Sequence, residues 1–145
     1  MSRCPHDPAA PPGTVAFGPC EPCGHCAFSA RQWVADGRLR WASRRDCGAC
    51  AYGGAEGGAG PAPAHVRAYV LRREGAVVVN PGGRGAAGLR EFRELLGLGH
   101  GELCGAVRDG YRATPAEARL VAAAGWPPRP PGEVRPDPAR GPGCG

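Results

Sequence analysis

Hydrophobic positions gather in two islands, at about 20–52 and about 65–126, and the stretches around them are dominated by Gly, Ala, Pro and Arg. In the first island the large side chains are aromatic: Phe28, Trp33, Trp41 and Tyr52. Gln32-Trp33-Val34-Ala35 and Arg38-Leu39-Arg40-Trp41 flank Asp36-Gly37, a dipeptide favoured in two-residue turns, so a β-hairpin is predicted. Trp33 and Trp41 stand at matching distances from that turn and are expected to pair across it.

The second island mixes two periods. His65-Val66-Arg67-Ala68-Tyr69-Val70-Leu71 alternates as a half-buried strand does, and Glu74-Gly75 reads as a turn. Ala76-Val77-Val78-Val79 follows as a second strand or a continuation of the first. Leu89, Phe92, Leu95 and Leu96 recur at helical spacing between Gly88 and Leu96. Another helix is predicted from about His100 to Val107, burying Leu103, Cys104 and Val107. The last helix is marked at both ends. Thr114-Pro115-Ala116-Glu117 is a capping box with Pro at the first helical position, and Gly125 closes it ahead of Trp126 and Pro127.

The expected architecture is small α+β. A hairpin module at 20–52 is joined by a flexible Gly/Ala/Pro linker at 53–64 to an α/β unit at 65–126, with one or two strands and three short helices. Tails at 1–19 and 127–145 are expected to be disordered. The chain has 145 residues, of which 25 are Gly and 17 are Pro, and that composition forbids one large core. Each island is therefore small enough to need a staple. No stretch approaches the roughly 20 apolar residues of a membrane span, and the N-terminus lacks the apolar core of a secretory signal. The expectation is a cytoplasmic protein, where closely spaced cysteines are metal ligands more often than disulfides.

Five of the eight cysteines supply that staple, at 20, 23, 26, 47 and 50. Cys23-Gly24-His25-Cys26-Ala27-Phe28 echoes Cys47-Gly48-Ala49-Cys50-Ala51-Tyr52, both reading C-G-x-C-A-aromatic. Two intervening residues let a tight turn aim both sulfurs at one ion, and two such turns offer a closed tetrahedron of thiolates to Zn²⁺. The predicted ligands are Cys23, Cys26, Cys47 and Cys50, with a 20-residue gap between Cys26 and Cys47. Cys20-Glu21-Pro22-Cys23 is itself a good knuckle, so Cys20 stands as the alternative to Cys26. His25 is expected to be exposed within its turn. Neither cysteine pair has the βαβ context of a redox C-x-x-C, and four thiolates leave no open position for catalysis. Cys4 and Cys144 fall in the tails and are expected as free thiols.

Knuckle, hairpin, knuckle is the order of a zinc ribbon, and the first island resembles that broad class. In the second island Arg93-Glu94-Leu95-Leu96-Gly97-Leu98-Gly99, with Glu102 and Val107, resembles the C-terminal domain of the bacterial ribosomal stalk protein. Thr114 to Gly125 would match that domain's third helix. The resemblance implies a fold, and it places Arg90 and Arg93 at positions comparable to those that touch translation factors. Two departures limit it: the segment Asp109 to Ala113 is short, and Trp126 runs into a Pro-rich tail where a final strand would follow.

Net charge is +5, and the chain has no lysine, so all 18 basic residues are Arg. This permits an acidic partner without demanding one. Arg31, Arg38, Arg40, Arg44 and Arg45 crowd the hairpin among its aromatics, which suits either a nucleic-acid surface or aromatics covering a metal beneath solvated arginines. Gly83-Arg84-Gly85-Ala86-Ala87-Gly88 matches a dinucleotide-binding turn in form, but so glycine-rich a chain produces such matches by chance, and a flexible helix start is expected. No nucleophile–base pair is evident. The expectation is a non-enzymatic protein with a structural Zn²⁺, binding a protein or RNA surface, which the stalk resemblance would make translation-related, through Trp33, Arg38, Arg40, Trp41, Arg90 and Arg93. Neither a membrane nor a small-molecule substrate is expected. The alternatives are a nucleic-acid-binding regulator, or a thiol-redox or zinc-sensing protein using Cys20.

Overall fold

The computed structural model describes residues 26–47 and 52–128. The expected N-terminal tail, the C-terminal tail beyond Pro128, and Cys4, Cys20, Cys23, Cys50 and Cys144 lie outside them. Asp36 and Gly37 both adopt positive φ, 53° and 70°, the conformation that a two-residue hairpin turn demands. They join β1 (Cys26–Ala35) to β2 (Arg38–Cys47) in the antiparallel register that begins at Ala35 opposite Arg38. A third strand, β3 (Tyr52–Ala59), pairs antiparallel with β2 and makes β2 the central strand.

β3 lies where a flexible linker was expected. Its sequence, Tyr-Gly-Gly-Ala-Glu-Gly-Gly-Ala, carries no alternation, so its extended form comes from pairing rather than from its own pattern. Gly58 sits opposite Trp41, and a Cβ there would lie 3.1 Å from the indole nitrogen. The ring of Trp41 thus covers the bare glycine.

Register also corrects the tryptophan pairing. A two-residue loop sets Trp33 against Arg40 and Gln32 against Trp41. The two indoles therefore occupy opposite faces, because a one-residue offset reverses a side chain's direction.

α1 (Ala64–Glu74) replaces the strand expected over 65–71. The alternation there was genuine, but Val66 and Val70 are four apart and bury one helical stripe equally well. Good helix formers surround them, and Gly75 at φ 82° stops the helix, its N–H bonding the Leu71 carbonyl at 2.9 Å. β4 (Val77–Val79) follows as expected, and then α2 (Gly85–Leu96), which buries Gly88, Phe92 and Leu96. Gly97, left-handed at φ 64°, ends α2, and the N–H of buried Leu98 returns to the Arg93 carbonyl at 3.0 Å.

α3 (His100–Asp109) buries Leu103 and Val107, but Cys104 is only half-buried and is disulfide-bonded rather than a core thiol. Its sulfur lies 3.6 Å from Nε2 of His100. The short segment after α3 is a further strand, β5 (Tyr111–Ala113), antiparallel to β4. α4 (Pro115–Ala123) starts on the expected capping box, with Glu117 N–H donating to Thr114 Oγ1 at 3.2 Å and Thr114 N–H to Glu117 Oε1 at 2.9 Å.

The protein is thus α+β, with a three-stranded antiparallel sheet, a two-stranded ribbon and four helices among the described residues. α1 and α4 pack on one face of the three-stranded sheet, and α4 also meets α2 and the β4–β5 ribbon. Leu39 of β2 belongs to the same core as Phe92, Val121 and Trp126, so apolar packing runs continuously from sheet to helices. Phe92 is fully buried with Trp126 and Tyr111 edge-on to it, at 5.5 and 5.8 Å between ring centres. Among the described residues no helix is long and apolar enough to cross a membrane.

Candidate functional site

β1 begins at Cys26 and β2 ends at Cys47, and the register sets these two residues opposite each other. Counting from the hydrogen-bonded pair that closes the turn, alternation makes Cys26/Cys47 a non-hydrogen-bonded pair, the kind whose Cα atoms approach to about 4.5 Å. Cys47 is also the partner of Tyr52 across β2 and β3. Residues 48–51, which link the central strand to the edge strand in sequence, and the residues before Cys26 lie outside the described residues. One C-G-x-C motif ends at Cys26 and the other begins at Cys47, so the register sets one cysteine of each motif opposite the other.

Of the predicted ligands, Cys23 and Cys50, and the alternative Cys20, lie outside the described residues. Among the described residues no group of three or more His, Cys, Asp or Glu side chains converges. Cys47 is buried, at 3% exposure. Two residues on from Cys26, Phe28 rests against α1, edge-on to Tyr69 at 5.2 Å and tilted to His65 at 5.8 Å. The Arg45 guanidinium sits 5.7 Å over the same ring. Burial foremost, then the charge of Arg45, lowers the pKa of His65, with Glu56 opposing. The cysteine end of the sheet is thus held on α1 by an aromatic cluster.

The two sheet faces differ in chemistry. Leu39, Ser43 and Cys47 of β2 are buried on the face that meets the helices. Gln32 on that face accepts a hydrogen bond from the hydroxyl of Thr114 in the α4 cap. The opposite face carries Arg31 and Trp33 from β1 and Arg38, Arg40 and Arg44 from β2. Arg31 stacks on Trp33 at 4.7 Å, and Arg44 pairs with Asp46 at 3.0 Å, both partners well exposed.

Of the residues expected to bind a partner, Trp33, Arg38 and Arg40 share this outer face, whereas Trp41 is on the helix-facing side over Gly58. Arg90 and Arg93 are exposed on α2, which packs against α4 on the helix side of the sheet, so they form a patch separate from the outer face.

One buried polar network was invisible in the sequence. The Arg67 guanidinium on α1 donates to both carboxylate oxygens of Glu117 at 3.1–3.2 Å, and Glu117 is 2% exposed. Arg67 also bonds the Arg112 carbonyl, and the Tyr111 hydroxyl donates to Glu117 Oε1 at 3.5 Å. Burial, then the Glu117 charge, holds the Tyr111 phenol well above its ordinary pKa, against the opposing effect of Arg67. The capping box announced Glu117, but nothing announced Arg67, because its segment reads as a strand.

No protein-family model matches the chain, and comparisons with curated proteins and with solved structures give no match. The functional reading therefore rests on the residues themselves.

Proposed function

We propose that the hairpin end of this protein is a zinc ribbon in which the thiolates of Cys23, Cys26, Cys47 and Cys50 hold one structural Zn²⁺, and that the protein is a non-enzymatic binding module. The observation that supports this is the register of Cys26, the last residue of one C-G-x-C motif, opposite Cys47, the first residue of the other. Four thiolates satisfy zinc's tetrahedral preference and leave no coordination position for substrate, so the metal's role is to fix the strands. That role answers a physical need: β3 is nearly all Gly and Ala and contributes little packing of its own. The partner, a protein or an RNA surface, is met by the arginine and tryptophan side chains that the fixed sheet presents.

Cobalt substitution tests the ligand set. Co²⁺ added to metal-free protein under reducing conditions should give the intense thiolate-to-metal charge-transfer and tetrahedral d–d bands of a four-sulfur site, and Zn²⁺ should displace it. A spectrum showing water or nitrogen ligation, or no uptake, contradicts the proposal.

A further inference from the structure

We infer that the outer face of the β1–β2–β3 sheet binds single-stranded nucleic acid, an inference that rests on reading this protein as a binding module. Phe28, Gln32 and Leu39 point to one side, where they meet α1, α4 and the core. On the other side Arg31, Arg38 and Arg44 are exposed, and Trp33 and Arg40 are partly so.

The charge on this face is lopsided. Four arginines stand against one carboxylate, that of Asp46, which engages only Arg44. All four are guanidinium groups, planar forks that bind phosphate oxygens in pairs. Side chains on one face of a strand recur every ~7 Å, which is comparable to the spacing of phosphates along an extended single strand. Arg38 and Arg40 therefore present successive cationic positions to such a backbone, with Arg44 two places further on.

Trp33 supplies what an acidic peptide would not use. A partly exposed indole, already stacked by Arg31 at 4.7 Å, offers a platform for an unstacked base. The third strand adds no bulk to this face, since its outward positions are Gly53, Ala55, Gly57 and Ala59. A Cβ at Gly57 would lie 3.1 Å from the Trp41 carbonyl oxygen, a tight contact that favours glycine there. A three-stranded cationic sheet face with one stacking residue suits splayed bases better than the groove of a duplex. RNA and single-stranded DNA share the chemistry recognised here, and the test separates them.

The test uses the full-length chain purified without chelator and fluorescence anisotropy with labelled oligo(U) and oligo(dT) of about 12 nucleotides, a duplex of equal length, and polyglutamate. The single strands should bind at least about tenfold tighter than duplex or polyglutamate, with log K falling against log salt at a slope of about −2 to −3. Tighter binding of oligo(U) than oligo(dT) would assign the surface to RNA, and the reverse order to DNA. Arg38→Gln with Arg40→Gln should weaken binding at least about tenfold and flatten that slope. Trp33→Ala should weaken it about fivefold with the slope unchanged. Arg90→Gln with Arg93→Gln, on the remote patch, should change nothing. Equal losses from the two arginine pairs, or preference for polyglutamate, would overturn the inference. Zinc is counted on the same samples: one zinc per chain without oligonucleotide binding removes this partner and leaves the ribbon. Binding through Arg38 and Arg40 in a chain that takes up no zinc keeps the surface and removes the metal.

Discussion

Arg67 on α1 and Glu117 on α4, fifty residues apart, form a two-pronged ion pair whose carboxylate is 2% exposed. The same carboxylate closes the capping box of α4. One side chain therefore fixes both the start of α4 and the angle at which α1 crosses the sheet.

Removing either partner should be costly, because the other is left charged and poorly hydrated. Arg67→Met and Glu117→Gln should each lower unfolding free energy by about 2–3 kcal/mol, below the full range for buried pairs because Arg67 keeps some exposure to water. The double variant should lose less than the sum. Urea denaturation of the four proteins measures the coupling, and a strictly additive result contradicts the pairing.

Tyr111 should ionise late. Its hydroxyl donates to Glu117, and a phenolate there would lose that bond and face a carboxylate. A folded-state pKa above the unfolded value near 10 means that stability is fully present below pH 10 and drains away as pH rises beyond it. Ultraviolet titration should show Tyr111 still protonated well above the ordinary phenol value of about 10. Tyr111→Phe should reduce the alkaline loss of stability; an unchanged profile speaks against the buried contact.

The hairpin turn offers a test with two signs. Asp36 bears a positive φ that Asn tolerates better, so Asp36→Asn should raise stability by a few tenths of a kcal/mol. Gly37→Val places a β-branched residue at φ 70° and should cost about 1–2 kcal/mol. Thermal midpoints of the metal-loaded proteins should move in opposite directions, and matching shifts would rule out this turn type.

These elements divide by whether local chemistry or packing decides them. Asp36-Gly37 and Thr114-Pro115-Ala116-Glu117 carry their own geometry, and the hairpin and α4 stand where those residues put them. The α2 and α3 stripes were equally plain. β3 carries no pattern, and pairing with β2 imposes its extended form. α1 was misread because Val66 and Val70 serve either period, and the contact of Tyr69 with Phe28 chooses the helix. Within the candidate site, the meeting of Cys26 and Cys47 followed from the hairpin alone. The segregation of Trp33 from Trp41 needed the register, one residue away from the symmetry the sequence suggests.

The central claim is that four of these cysteines, Cys26 among them, hold one zinc. Protein purified without chelator should be analysed for zinc per chain in wild type, Cys20→Ser and Cys26→Ser. The account predicts one zinc in wild type and in Cys20→Ser, and its loss in Cys26→Ser with unfolding of the hairpin. No zinc in reduced wild-type protein, with thiols that instead oxidise readily to disulfides, would contradict the account and put redox chemistry in its place.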